Sequence, residues 1–136
     1  LRLLGGVMVL DSEQTKTALG EFDGKRGTGS PILNANLGVE YDINQLPGVT
    51  LTARSIHTGS QYLDQANEQK IDAGQRYDLG GRYAFKLGTN PVTLRASVEN
   101  VLDKTYWVSA ATSSDAAAGL TLSTPRTWLL SATVGF

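Results

Sequence analysis

Apolar and polar residues alternate along most of this chain, most cleanly over residues 128–136. Trp128, Leu130, Ala132, Val134 and Phe136 share one parity, and Leu129, Ser131, Thr133 and Gly135 the other. Successive side chains of a strand point to opposite faces, so this segment predicts a strand with one apolar side. The same period recurs over residues 32–43, where Leu33, Ala35, Leu37, Val39, Tyr41 and Ile43 alternate with Asn34, Asn36, Gly38, Glu40 and Asp42. Residues 76–87 set Tyr77, Leu79, Gly81, Tyr83, Phe85 and Leu87 against Arg76, Asp78, Gly80, Arg82, Ala84 and Lys86. Residues 92–99 oppose Val92, Leu94, Ala96 and Val98 to Thr93, Arg95, Ser97 and Glu99. Two vaguer segments complete the set: residues 2–17, polar in their second half, and residues 49–62, blurred after Arg54. The pattern predicts an all-β, antiparallel up-and-down meander of about six strands.

The charges follow the polar parity. Glu40, Asp42, Arg54, Arg76, Asp78, Arg82, Lys86, Arg95 and Glu99 all oppose the apolar residues of their own strands. This suits a wall with lipid on one side and water on the other, because a lipid-facing Arg or Lys at mid-membrane costs about 2–4 kcal/mol. A soluble sandwich produces the same alternation with its apolar face inward, so alternation alone leaves both open.

Loop lengths and aromatic placement favour the wall. Residues 44–48 and 88–91 are compact Pro/Gly turns, whereas residues 18–31, 60–72 and 108–124 form long polar connections. Short and long alternate, as in outer-membrane barrels with tight periplasmic turns and longer extracellular loops. If the last strand runs toward the periplasm, Tyr62, Tyr77, Tyr106, Trp107 and Trp128 fall near the outer ends of the strands, and Tyr41, Tyr83, Phe85 and Phe136 near the inner ends. Two such bands match interfacial girdles.

Composition narrows the chemistry. The 136 residues carry a formal net charge of −1, with no basic face of the kind that binds nucleic acid. There is no cysteine and a single histidine, His57, which removes disulfides and thiolate metal sites and leaves no material for a His-based centre. No run reaches the roughly 18 apolar residues of a membrane helix, which says nothing against a barrel. The start, Leu1 to Leu10, has an early arginine and an apolar run, but it passes into Asp11 without a small-residue cleavage site. It does not read as a secretory signal, and residue 1 is expected to lie inside a longer parent protein.

The stretch Val98-Glu-Asn-Val-Leu-Asp-Lys-Thr-Tyr-Trp107 resembles the Asn-hydrophobic-hydrophobic-Asp-Lys-x-Tyr signature near the carboxyl end of TonB-dependent outer-membrane receptors. Thr58-Gly-Ser-Gln-Tyr62, Tyr77-Asp-Leu-Gly-Gly-Arg-Tyr83 and Thr124-Pro-Arg-Thr127 resemble further motifs of that family, so the similarity spans essentially the whole chain. It looks closest to the ferric-siderophore, ferrichrome-type subgroup. The resemblance implies residues 1–136 as the carboxyl-terminal portion of a 22-stranded barrel in the Gram-negative outer membrane, its plug absent from this segment. It implies a transporter with no catalytic residues, no resident cofactor or metal, and a ferric siderophore as transported ligand. The implied partners are TonB, the plug, outer-membrane lipid, and the barrel-assembly machinery acting through Phe136.

Within this family pattern Asn100, Asp103, Lys104, Tyr106, Pro125, Arg126 and Phe136 are read as structural. Asn100 and Asp103 favour a turn or bulge through side-chain bonds to nearby backbone. Lys104 is expected to pair with Asp103 or with a neighbouring loop. Tyr62, Tyr106 and Trp107 are candidate outer-rim ligand contacts, weighed against lipid anchoring.

Other chemistry is weaker. Asp23-Gly-Lys-Arg-Gly-Thr-Gly-Ser30 is glycine-rich but lacks Walker spacing, and no helix follows. His57 has no G-x-S-x-G partner for a hydrolase site. Asp64, Asn67, Glu68 and Asp72 do not match an EF-hand. Six strands fall short of the eight that begin single-chain barrels, and their open edges invite pairing. The chain is therefore expected either to be a segment of a larger receptor, unable to transport alone, or to be a self-contained soluble or self-associating β-sheet domain.

Overall fold

The computed structural model describes residues 1–111 and 119–136. Six long strands form one antiparallel sheet: β1 (Arg2–Val9), β2 (Leu33–Asp42), β3 (Val49–Thr58), β6 (Gly74–Leu87), β7 (Asn90–Glu99) and β10 (Thr127–Val134), in the order β1-β2-β3-β6-β7-β10. Each pairs with its neighbour in sequence, apart from two small ribbons, β4 (Gln61–Tyr62) with β5 (Lys70–Ile71) and β8 (Trp107–Ala111) with β9 (Gly119–Leu122). The meander is as the alternation predicts.

The first strand ends earlier than its pattern suggests. β1 stops at Val9, and the polar residues after it leave the sheet: Leu10 donates to the Ile32 carbonyl, Gln14 to the Lys25 carbonyl, and Glu13 bridges Arg26. The third strand likewise stops at Thr58 rather than reaching Tyr62. Gly59 turns the chain there, its N–H donating to the Leu33 carbonyl at 2.7 Å, and a Cβ on it would lie 2.9 Å from the Leu33 nitrogen. The last strand ends at Val134, two residues short of Phe136, although Gly135 still donates to Pro91.

Register joins the strand parities into two continuous faces. Across one, Val39, Ala53, Leu79, Val98 and Trp128 form a row, followed by Tyr41, Leu51, Gly81, Ala96 and Leu130. Across the other run Glu40, Thr52, Gly80, Ser97 and Leu129, then Asp42, Thr50, Arg82, Arg95 and Ser131. No second layer covers the apolar face: Leu130 is 82% exposed and Leu79 51%. Among the described residues the buried apolar side chains are Ile71, Val92 and Ala110. A sandwich would bury this face in its core; here, Val92 apart, it is largely exposed across the sheet, far beyond an ordinary monomer's apolar patch. On β6 the apolar parity runs from Tyr77 to Leu87, roughly 33 Å along the strand and about 25 Å high at barrel tilt, the height of an outer-membrane apolar band.

The two short turns lie at one end. Residues 43–48 are closed by Ile43 and Val49, each N–H of which finds a local carbonyl, and Gly48 at φ +87° packs against the Ala84 carbonyl. Gly88, at φ +66°, opens the hairpin to β7, and a Cβ added there would meet nothing within 4 Å. Both glycines carry the left-handed backbone cost of about 1–2 kcal/mol on substitution. Gly48→Ala adds a backbone collision, so in the parent protein it should lower the thermal midpoint clearly more than Gly88→Ala.

Candidate functional site

All three long connections emerge at the other end: residues 10–32, 59–73 and 100–126, of which 112–118 lie outside the described residues. They are fastened into one layer. Gln14 donates from Nε2 to the carbonyls of Arg26 (2.9 Å) and Gln65 (3.0 Å). Asn67, at φ +59°, accepts from the Arg26 N–H at 2.7 Å and donates back to the Arg26 carbonyl at 3.0 Å, as a backbone partner would. Gly29 donates to the Tyr62 carbonyl, and a Cβ on Gly29 would strike the Ala110 carbonyl, so the first loop also leans on the third. Gln61, fully buried, ties the second to the third through Nε2 to the Val108 carbonyl at 3.1 Å. Neither Gln61 nor Gln14 stands out in the sequence, because their partners are remote along the chain.

The glycine-rich stretch of the first loop spends several backbone donors within the loop layer. Lys25 donates to Phe22, Gly27 to Ser12, Gly29 to Tyr62 and Arg26 to Asn67. Thr17 donates from both N and Oγ1 to Asp23. These amides are already bonded and so are not available as a phosphate cradle. In the second loop Asp64 accepts from the Gln69 N–H at 2.8 Å and the Glu68 N–H at 3.1 Å. Those bonds, Gln69 first, hold its carboxyl below the usual aspartate range. A lowered folded value gives stabilisation that is present above the unfolded pKa and lost as pH falls through the folded one. Protection of the Glu68 and Gln69 amides, relative to their intrinsic exchange rates, should therefore fall as pH drops below about 3.9, and Asp64→Asn should remove that acid dependence.

Of the three candidate contacts, Tyr62 lies in β4 opposite Lys70 and is half-buried. Trp107 begins β8 opposite Leu122 and is 40% exposed. Tyr106 lays its ring on Gly74, where any Cβ would overlap it. Gly74 shares the polar parity of β6, so the Tyr106 ring sits on the polar side of the sheet, above Arg76. The loop layer therefore holds the three aromatics, but they do not converge on one pocket.

Asn100 is the hub below this layer. It is buried, at φ +51°, and donates from Nδ2 to the carbonyls of Lys104 and Thr124, both at 2.9 Å, while Oδ1 accepts from the Lys104 N–H. Its own N–H donates to Asp78 at 3.0 Å. Asp103, at φ +52°, accepts from the Arg126 N–H at 2.9 Å, and Thr127 donates to the Pro125 carbonyl. The Lys104 side chain shows no ion pair among the described residues, so the pairing expected of it, with Asp103 or with a neighbouring loop, is not seen among them. Phe136 is fully exposed beyond β10.

His57 and Gln75 share a 3.1 Å hydrogen bond, and Gln75 donates to Ser55 at 2.8 Å. The trio lies on the apolar face at its outer end, next to Tyr77. It ends the apolar band there and contains no nucleophile–base–acid arrangement.

An open meander with one bare apolar face, one charged face, short turns at one end and a fastened loop layer at the other has the form of a section of β-barrel wall. The comparisons with known proteins give the family. No family model matches the sequence. The ferrichrome receptor FcuA of Yersinia enterocolitica is 37% identical over 108 residues, which cover 79% of this chain and 14% of FcuA. BauA, the ferric preacinetobactin receptor from Acinetobacter baumannii, superposes with a TM-score of 0.84 at 36% identity, over 96% of this chain and 19% of its own. PiuA, a siderophore receptor from the same organism, gives 0.76 at 27% identity over 97% and 19%. The chain belongs to the TonB-dependent siderophore receptors and spans less than a fifth of the length of these relatives. Those relatives are receptors, not enzymes.

Proposed function

We propose that residues 1–136 are the last six strands of a 22-stranded barrel in a Gram-negative outer membrane, and that the parent protein imports a ferric siderophore with energy delivered through TonB. The observation that carries this reading is the pairing of a bare apolar face about one membrane thick with a charged face opposite it, joined to a receptor-like loop layer at one end. In this arrangement the apolar face meets lipid, and His57, Ser55, Gln75, Tyr77 and Trp128 lie at the outer interface. The charged face lines the interior, where the plug sits. The layer formed by residues 10–32, 59–73 and 100–126 faces the medium, with Tyr62, Tyr106 and Trp107 as rim contacts. Asn100, Asp103, Lys104, Pro125 and Arg126 shape the last connection. Phe136 serves as the terminal residue read by the barrel-assembly machinery.

Uptake tests the reading. A strain lacking the parent gene and starved of iron should fail to accumulate radiolabelled iron from one ferric siderophore, ferrichrome being the first to try. The full gene should restore uptake only in the presence of functional TonB. Unimpaired uptake of every ferric siderophore tested in the deletion strain, ferrichrome and preacinetobactin complexes included, would refute a siderophore role.

A further inference from the structure

The glycine-rich stretch of the first loop contains an Asp23–Gly24 pair, and both residues are exposed. Aspartate followed by glycine is the pair most open to succinimide closure, because glycine has no Cβ to shield its amide nitrogen. Two groups must meet for the ring to form: the Gly24 nitrogen, stripped of its proton, and the Asp23 carboxyl carbon. In this loop both are held. The Gly24 N–H donates to the Gln14 carbonyl at 3.0 Å. Asp23 Oδ1 accepts from the Thr17 N–H at 2.8 Å and from Thr17 Oγ1 at 2.9 Å. Thr17 Oγ1 accepts in turn from the Phe22 N–H at 3.1 Å, which closes the clamp around the aspartate.

The fastening reaches beyond this loop. The carbonyl that engages Gly24 belongs to Gln14, whose Nε2 ties Arg26 to Gln65 of the second loop. The Gln14 N–H donates to the Lys25 carbonyl at 2.7 Å, next to Gly24. Asn67, also of the second loop, bonds both the N–H and the carbonyl of Arg26. Release of the second loop therefore loosens the residue that holds the Gly24 amide, so the geometry of the Asp23–Gly24 pair is set by the loop layer as well as by local turns.

We propose that Asp23–Gly24 is a latent isoaspartate site, kept closed by the Thr17 clamp and the Gln14 carbonyl and opened when the first loop leaves the loop layer. On opening, the Gly24 nitrogen attacks the Asp23 carboxyl carbon. A new N–C bond forms, and one carboxyl oxygen leaves as water, carrying the amide proton and the carboxyl proton. Water then adds to the five-membered imide. Addition at the main-chain carbonyl of Asp23 breaks its bond to the Gly24 nitrogen and routes the chain through the former side chain, with no net change in mass. Solvent water and protons are the only co-reactants. The product backbone is longer by one methylene, which puts the Gly24 N–H and the displaced carboxylate out of register with Gln14 and Thr17. The modified loop therefore stays unfastened.

The test follows isoaspartate at position 23 while purified full-length parent receptor is incubated at neutral pH, with electron-transfer fragmentation of the peptide carrying Asp23 to distinguish the isomers. A synthetic peptide of residues 14–26 gives the rate of the unfastened pair. The folded receptor should react at least about tenfold more slowly than the peptide, because reaction there waits on local opening. Thr17→Val, which removes the hydroxyl and keeps the shape, should raise the receptor's rate about fivefold, the change expected when a hydrogen bond is lost from the closed loop. Gln14→Ala keeps the carbonyl but cuts the tie to the second loop, and should raise the rate similarly. Heat-modifiable migration shows that each variant retains its barrel. Reaction of the folded wild type at the peptide's rate would overturn the proposal, as would wild-type rates in both folded variants. An increase with Thr17→Val but none with Gln14→Ala would overturn the dependence on the loop layer. The readout is independent of uptake, so failure of this inference and failure of the transport function are separately visible.

Discussion

Asn100→Ala should be the most damaging single truncation in the loop region, lowering the stability of the parent barrel by about 3 kcal/mol, the sum expected when buried partners lose their bonds at roughly 1 kcal/mol each. The side chain removed is buried and supplies two donors and one acceptor to the backbone of Lys104 and Thr124. The Lys104 carbonyl keeps a second, longer donor in the Ser123 hydroxyl at 3.3 Å, but the φ of +51° at this position suits Asn better than Ala. The connection from β7 to β10 would loosen, and with it the Asp103 bond that positions Arg126. Lys104→Ala serves as the comparison, since the bonds at that residue belong to its backbone, and it should change stability by less than about 0.5 kcal/mol. The heat-modifiable gel shift of the parent receptor, followed with temperature, measures both. Equal effects would mean that the Asn100 bonds contribute little.

Leu79→Arg should cost about 2–4 kcal/mol and sharply reduce the folded receptor recovered from outer membranes, because it puts a charge in the middle of the lipid-facing band. Leu79 lies between Ala53 and Val98 on the apolar face and is half exposed. Thr133→Arg, on the opposite face of β10 and across from Thr93, should be tolerated, since that face is wet and already carries arginines. The contrast between the two separates a membrane wall from a soluble sheet. In a sandwich both the sign of burial and the tolerated face would depend on a second layer, and there is none among the described residues.

Much of this is legible in the sequence because a strand's period is short. Leu33 to Ile43 and Trp128 to Val134 declare their faces over a few residues, and a one-residue slip would place Glu40 or Arg95 in lipid. Boundaries are less visible. The first segment reads as strand as far as Thr17, but Glu13 and Gln14 pair with Arg26 and Lys25 across a loop, a contact no local pattern encodes. The ribbons β4–β5 and β8–β9 are too short for periodicity to register. The motif around Asn100 and Asp103 predicts side-chain bonds to nearby backbone, which Asn100 makes at Lys104, whereas the Asp103 carboxylate bonds the remote Arg126 N–H instead, and the reach to Thr124 and Arg126 depends on tertiary placement. Gln61 as an inter-loop tie and Tyr106 resting on Gly74 give no signal, since a lone glutamine and a lone glycine have many uses.

The central claim is that one face of this sheet meets lipid and the other an aqueous interior. The segment has no cysteine of its own, so single cysteines placed in turn along β6, from Tyr77 to Leu87, can each carry a spin label in the full-length receptor reconstituted in bilayers. Accessibility to oxygen, which concentrates in lipid, and to a water-soluble nickel chelate should alternate with a period of two. Leu79, Gly81, Tyr83 and Phe85 should be oxygen-accessible, and Asp78, Gly80, Arg82 and Ala84 shielded from oxygen. Uniform accessibility, or alternation with the parities reversed, would contradict the account.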